Sequence, residues 1–133
     1  MKKNANLFAH FQHHFPDDLN SPLLVTADDR EVSYAQADEA SSRVATCLLS
    51  MGAAAGDRIT VQVEKSVENL FLYLGCLRAG LVYHPLNTAY TASELEYLLN
   101  DAEPTIIVCD SNSVNIIESV IPDIGLKAIL TLN

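Results

Sequence analysis

The chain has 133 residues, enough for one domain with an enclosed core, and 49% of them are hydrophobic. Seventeen acidic residues against eight basic ones give a formal charge of -9, which opposes long-range attraction to nucleic acid or to an anionic membrane. Lysine and arginine are dispersed from Lys2 to Lys127 without a basic stripe, no run approaches the ~20 apolar residues of a membrane span, and the stretch before His10 has no apolar signal core. The expectation is a soluble cytoplasmic protein with no nucleic-acid partner and no membrane span.

Leu7, Phe8, Phe11 and Phe15 recur at near-helical spacing before Pro16, which predicts a short amphipathic helix. Residues Leu23 to Thr26 and Glu31 to Val32 flank the polar turn Ala27-Asp28-Asp29-Arg30 and predict a small hairpin. Ser33 with Gln36 matches a capping box, so a helix begins there, with Ala37, Ala40, Val44, Leu48 and Met51 as its apolar face and Gly52 as its stop. Ile59 to Val63 is a β-branched strand signal. From Ser66 to Gly80 the chain is helical in length and apolar on nearly every side, which predicts wide burial.

Leu81 to Leu86 reads as a strand in which Pro85 marks an end or an edge, because proline cannot donate to a ladder. Thr91 with Glu94 forms a second capping box for a helix through Leu95, Leu98 and Leu99. Thr105 to Cys109 is a continuous apolar run of the kind found in a strand covered on both faces. A helix around Val114 to Ile121, ended by Pro122, and a last strand at Ala128 to Leu132 complete the pattern. Alternation of strand and helix from Ile59 onward predicts an α/β fold of βα units around a mostly parallel sheet, with residues 1–133 as one segment and no internal boundary.

The chemistry-bearing residues favour structural readings. His10 and His14 are four apart with His13 beside them, yet they lack a cysteine or carboxylate at ligand spacing, so a solvated helix face is expected and no metal site. Cys47, Cys76 and Cys109 are far apart among apolar neighbours and read as small core residues. Gly75 and Gly80 have the spacing of a phosphate loop's ends, but Leu81-Val82 replaces the Lys-Ser/Thr pair, so they read as a packing and capping pair. Asp17-Asp18 and Asp28-Asp29 lie in turn-like segments, His84 reads as structural, and no Gly-x-Ser-x-Gly elbow accompanies the serines. Residue chemistry alone names no reaction.

Two blocks are more specific. Val32-Ser33-Tyr34-Ala35-Gln36-Ala37 resembles the early block of adenylate-forming enzymes, and Leu77-Arg78-Ala79-Gly80-Leu81-Val82-Tyr83-His84-Pro85-Leu86-Asn87 resembles their second, with order and separation matching. The continuation Thr88 to Leu95 and Asp101-Ala102-Glu103-Pro104 before an apolar strand add to it. Within that superfamily, Glu64 to Glu68, Leu72-Tyr73-Leu74 and Pro85 to Thr91 look most like malonyl-CoA synthetases.

The resemblance covers nearly the whole chain but only the opening part of a family enzyme, so it implies an incomplete N-terminal part of an AMP-binding acyl-CoA synthetase domain. It further implies a parent acid-thiol ligase that uses ATP, magnesium and coenzyme A to turn malonate, or another small carboxylate, into its thioester through an acyl-adenylate. No catalytic or ATP-binding position of the family falls here, so the segment alone is expected to be inactive and to bind none of these cofactors. The resemblance places Asn87 and Tyr90, after a strand end, as candidates bordering the coenzyme A path. Ala89 stands where some relatives have a basic residue. The rest of the parent is the expected partner, and apolar edges left uncovered predict self-association. Rival readings are a ligase for a different small or medium carboxylic acid and a noncatalytic α/β interaction module.

Overall fold

The computed structural model describes residues 4–121 and 125–132. Helix α1 (Leu7–His13) begins at Asn6, whose side chain accepts from the Ala9 N–H. Strands β1 (Pro22–Val25) and β2 (Glu31–Ser33) pair antiparallel as the expected hairpin. Its turn closes through Thr26 N–H to Arg30 O at 2.9 Å and Asp29 N–H to Thr26 O at 3.0 Å.

The remaining elements alternate as helix α2 (Tyr34–Ser50), strand β3 (Arg58–Gln62), helix α3 (Val67–Arg78), strand β4 (Val82–Pro85), helix α4 (Ala92–Ala102), strand β5 (Ile106–Cys109), helix α5 (Val114–Val120) and strand β6 (Ala128–Thr131). The last four strands form one sheet in the order β4-β3-β5-β6, parallel throughout. Pro85 sits both at a strand end and on an edge, as its missing N–H requires. Pro122, expected to end α5, lies outside the described residues.

Both capping boxes form. Ser33 accepts from Gln36 N–H while the Gln36 side chain accepts from Ser33 N–H, and Thr91 and Glu94 do the same for α4. The far ends of α2 and α3 use left-handed glycines: Gly52 (φ +97) and Gly80 (φ +71) let Ala53 N–H reach Leu48 O and Leu81 N–H reach Cys76 O. Those six-to-one bonds satisfy carbonyls that a helix end otherwise orphans.

Strand pleating sorts the core into two layers. Ile59, Val61, Ile106 and Val108 face α2 and α3, packing on Leu48, Leu72 and Cys76. Ile107 and Cys109 face the other way, onto Leu95 and Leu99 of α4 and Ile117 of α5. Helices α3 and α4 therefore cover opposite faces, which is how right-handed crossovers must lie when the chain moves outward from β3 to β4 and then back past β3 to β5. A third cluster, Phe8, Ala37 and Leu74, seats α1 on α2 and α3. Arg78 fastens it: its guanidinium donates to Asp38 at 2.6 Å and lies 4.6 Å from the Phe8 ring centroid.

The buried stripe of α2 differs from the expected one. Ala37, Ser41, Ala45 and Leu48 are buried, whereas Met51 is 37% exposed. The cause is the approach of α3, whose Gly75 lies against Ser41 and Val44, so that small residues rather than large apolar ones mark the contact. Ser41 is buried without penalty because its hydroxyl donates to Asp38 O at 3.0 Å. Cys47 is a second correction: it is exposed on α2, while Cys76 and Cys109 are core residues as expected. Among the described residues no helix is long and apolar enough to cross a membrane.

Candidate functional site

In a sheet ordered β4-β3-β5-β6, the direction of strand addition reverses between β3 and β5. Open α/β sheets hold ligands outside the carboxyl ends of the strands at such a reversal. A concavity of ≈ 580 Å³ lies there, lined by Glu64 after β3, Thr88 and Ala89 after β4, and residues 110–113 after β5. Parallel pairing makes it: Gln62 registers with Cys109, so the residues that follow each strand emerge side by side.

The lining is oxygen-rich and contains two carboxylates, Glu64 and Asp110, with no lysine, arginine or histidine. Thr88 Oγ1 donates to Glu64 Oε1 at 2.7 Å, tying the loop after β4 to the exit of β3. Beneath it the buried Gln62 donates through Nε2 to Asn87 O at 2.9 Å. This edge suits ligand N–H and O–H groups. A phosphate would meet two carboxylates and no compensating cation, so the triphosphate of ATP does not fit these residues unaided.

The two sequence candidates separate. Asn87 is exposed beside the concavity, with its side-chain oxygen turned back to accept from Ala89 N–H at 2.9 Å. Tyr90, 37% exposed, lines a separate, smaller hollow with Ser93, Glu94, Tyr97 and Leu98. The turn closed by Tyr90 N–H on Asn87 O at 3.2 Å divides them. Sequence reading missed Gln62, Glu64 and the Asp110–Ser113 loop. Their available signals were a polar residue ending a β-branched strand and a polar cluster directly after an apolar one.

The other candidates take structural roles. His10 and His14 lie tilted at 57° with ring centroids 4.7 Å apart, and His14 Nδ1, 2.8 Å from His10 O, is the donor because a carbonyl only accepts. Among the described residues no group of three or more His, Cys, Asp or Glu is arranged to hold a metal. His84 Nδ1 meets buried Thr60 Oγ1 at 2.9 Å, and burial, reinforced by Arg58, holds its pKa below the usual histidine value. Burial pushes the Cys76 thiol up to about 12 and raises that of Cys109, so neither supplies a thiolate. The Asp28 carboxyl is held low chiefly by the Thr26 hydroxyl, as befits a turn.

A parallel sheet covered on both faces, with a concavity at the strand reversal, defines an open α/β domain, and comparison with known proteins gives the family. The chain belongs to the AMP-binding enzyme family, whose pattern matches residues 11–131. It is similar to ATP-bound MatB from Rhodopseudomonas palustris, with 44% identity and a TM-score of 0.89, covering 97% of this chain and 26% of that one. It is also similar to a medium/long-chain-fatty-acid–CoA/3-oxocholest-4-en-26-oate–CoA ligase of Mycobacterium marinum, 26% identical over 125 residues, which are 93% of this chain and 23% of that protein. Tyrocidine synthase 1 of Brevibacillus parabrevis is 26% identical over 119 residues, 90% of this chain and 11% of that protein. The chain thus spans about a quarter or less of the length of these relatives. The α/β architecture expected from sequence is that of the N-terminal domain of adenylate-forming enzymes.

Proposed function

We propose that this chain is the N-terminal part of a cytoplasmic malonyl-CoA synthetase, an AMP-forming acid-thiol ligase. The observation that carries the narrower reading is the 44% identity to MatB over 97% of the chain, against 26% to the fatty-acid ligase and to the peptide synthase. The runs Glu64 to Glu68 and Pro85 to Thr91 point to the same subgroup.

In such an enzyme ATP with magnesium activates the carboxylate as an acyl-adenylate, and the coenzyme A thiol then displaces AMP. This segment contributes the sheet edge. Its lining of Glu64, Thr88 and the Asp110–Ser113 loop fits the amide-bearing arm of coenzyme A, whose N–H and O–H groups match acceptor oxygens. Cations for phosphates must come from outside these residues, and with none of them the segment alone does no adenylation.

The test is pyrophosphate exchange with ATP and malonate, run on the complete enzyme and on the 133-residue chain. Malonate-dependent exchange and malonyl-CoA formation by the former, with none by the latter, are expected. Exchange by the complete enzyme with another small acid but not malonate would remove the substrate assignment, and exchange by the short chain would remove its inactivity.

A further inference from the structure

Gln62 is the last residue of β3, between apolar strand and open edge, and only 2% of it is exposed. A strand with this much burial ordinarily ends on an apolar side chain, and the amide is not there to complete a network. Its Oε1 is the one buried side-chain oxygen without a hydrogen-bond partner among the described residues. Only the nitrogen is fastened, at 2.9 Å to Asn87 O. Turning the amide over would set its oxygen against that carbonyl, acceptor to acceptor, so the orientation is dictated by the loop it holds.

That loop is the one that carries both candidate residues. Asn87 O accepts Gln62 from one side and Tyr90 N–H at 3.2 Å from the other, so a single carbonyl joins the strand exit to the turn between Asn87 and Tyr90. The second tie, Thr88 to Glu64, is exposed to competing water, whereas the Gln62 bond is part-buried. We propose that Gln62 is a positioning residue: it holds the Asn87–Tyr90 loop against the end of β3 in the geometry that the thiol substrate requires. The proposal rests on the reading of this edge as part of the coenzyme A path. Gln62 acts through the loop and touches no reacting atom.

The complete enzyme tests it with Gln62→Leu, Gln62→Glu and, as a marker of the edge itself, Asn87→Ala. Gln62→Leu should raise KM for coenzyme A about tenfold, the scale of one part-buried hydrogen bond, while pyrophosphate exchange is retained. Gln62→Glu separates the bond from the bulk. A buried carboxyl facing a carbonyl is held protonated and donates as glutamine does, until rising pH ionises it and turns donor into repelling acceptor. Its KM for coenzyme A, relative to wild type at each pH, should therefore be close to one at acid pH and climb toward alkaline pH.

A Gln62→Glu KM for coenzyme A raised as much at acid as at alkaline pH would mean that a restored donor does not hold the loop, and would overturn the proposal. So would an unchanged KM in both Gln62 variants when Asn87→Ala raises it, although the edge reading would then stand. If no variant moves KM for coenzyme A, the edge reading fails and the positioning role fails with it. Should Gln62→Leu not fold, the isosteric Gln62→Glu still gives the decision from its pH profile.

Discussion

The contact between α2 and α3 is a place where one added carbon has a calculable consequence. A Cβ built on Gly75 would lie 2.5 Å from Val44 Cγ1, 2.7 Å from Val44 Cβ and 3.2 Å from Ser41 O. Carbon atoms rest at roughly 3.5–4.0 Å, so Gly75→Ala forces an overlap on the order of 1 Å between two packed helices. Overpacking of this kind costs about 1–3 kcal/mol. Alanine's better helix propensity returns about 1 kcal/mol, leaving a net loss of up to about 2 kcal/mol.

In urea, with a slope of about 2 kcal/mol/M for a domain of this size, the midpoint should fall by up to about 1 M. The experiment belongs at the lowest workable concentration so that association does not contribute. Val44→Ala removes the nearer of the two carbons and keeps the other. The Val44→Ala/Gly75→Ala pair should therefore lose less than the sum of the single losses, with a coupling of about 0.5–1.5 kcal/mol. Gly75→Ala above wild-type stability, or strict additivity in the pair, would refute the close approach of these helices.

Two more outcomes follow from local chemistry. The Glu94 carboxyl is held below its ordinary value of 4.5, first by the Thr91 N–H and then by the Thr91 hydroxyl. A depressed carboxyl stabilises above its unfolded pKa and loses that contribution as pH falls through the folded one, so Glu94→Gln should flatten part of the stability loss below pH 4.5, measured by urea midpoints across pH. With Cys47 exposed and the other two thiols buried, a thiol reagent should label one cysteine in the folded chain and three after denaturation, counted by intact mass; native labelling of Cys76 would contradict its place in the core.

Much of the fold was legible because its signals are local. Ser33 with Gln36 and Thr91 with Glu94 announced helix starts that the side chains then made, and Gly52 and Gly80 announced stops that only left-handed backbone provides. The buried stripe of α2 was not legible, because Ser41 lies against Gly75, a residue far along the chain whose small size has meaning only in the contact. Cys47 was misplaced for the same reason: apolar neighbours in sequence did not share its face. At the edge, Asn87 was visible as the residue after a strand, but Glu64 and Asp110 become neighbours only through the parallel register of β3 with β5. Proximity in sequence likewise did not keep Asn87 and Tyr90 together, since the turn between them points each to its own hollow.

The sheet has two edges, and they are not equally defended. On β4, Pro85 lacks the N–H that another strand would accept from, which blunts that side. On β6, Ala128–Thr131 contains neither proline nor charge, and the flanking Lys127 is engaged with Gly52 O at 2.7 Å. Ile129 and Leu130 are only half-buried there, and Leu130 and Leu132 border an apolar hollow with Val44, Leu48 and Leu72. We expect the isolated chain to self-associate through this edge, with β6 of one copy antiparallel to β6 of another, the pairing that a two-fold axis permits. Thr131→Lys, which sets a charge at an exposed position of the strand, should shift the population toward monomer. Sedimentation over a range of concentrations reads both results. A compact monomer at every concentration that exposes no dye-binding apolar surface would refute the argument, as would a dimer indifferent to Thr131→Lys.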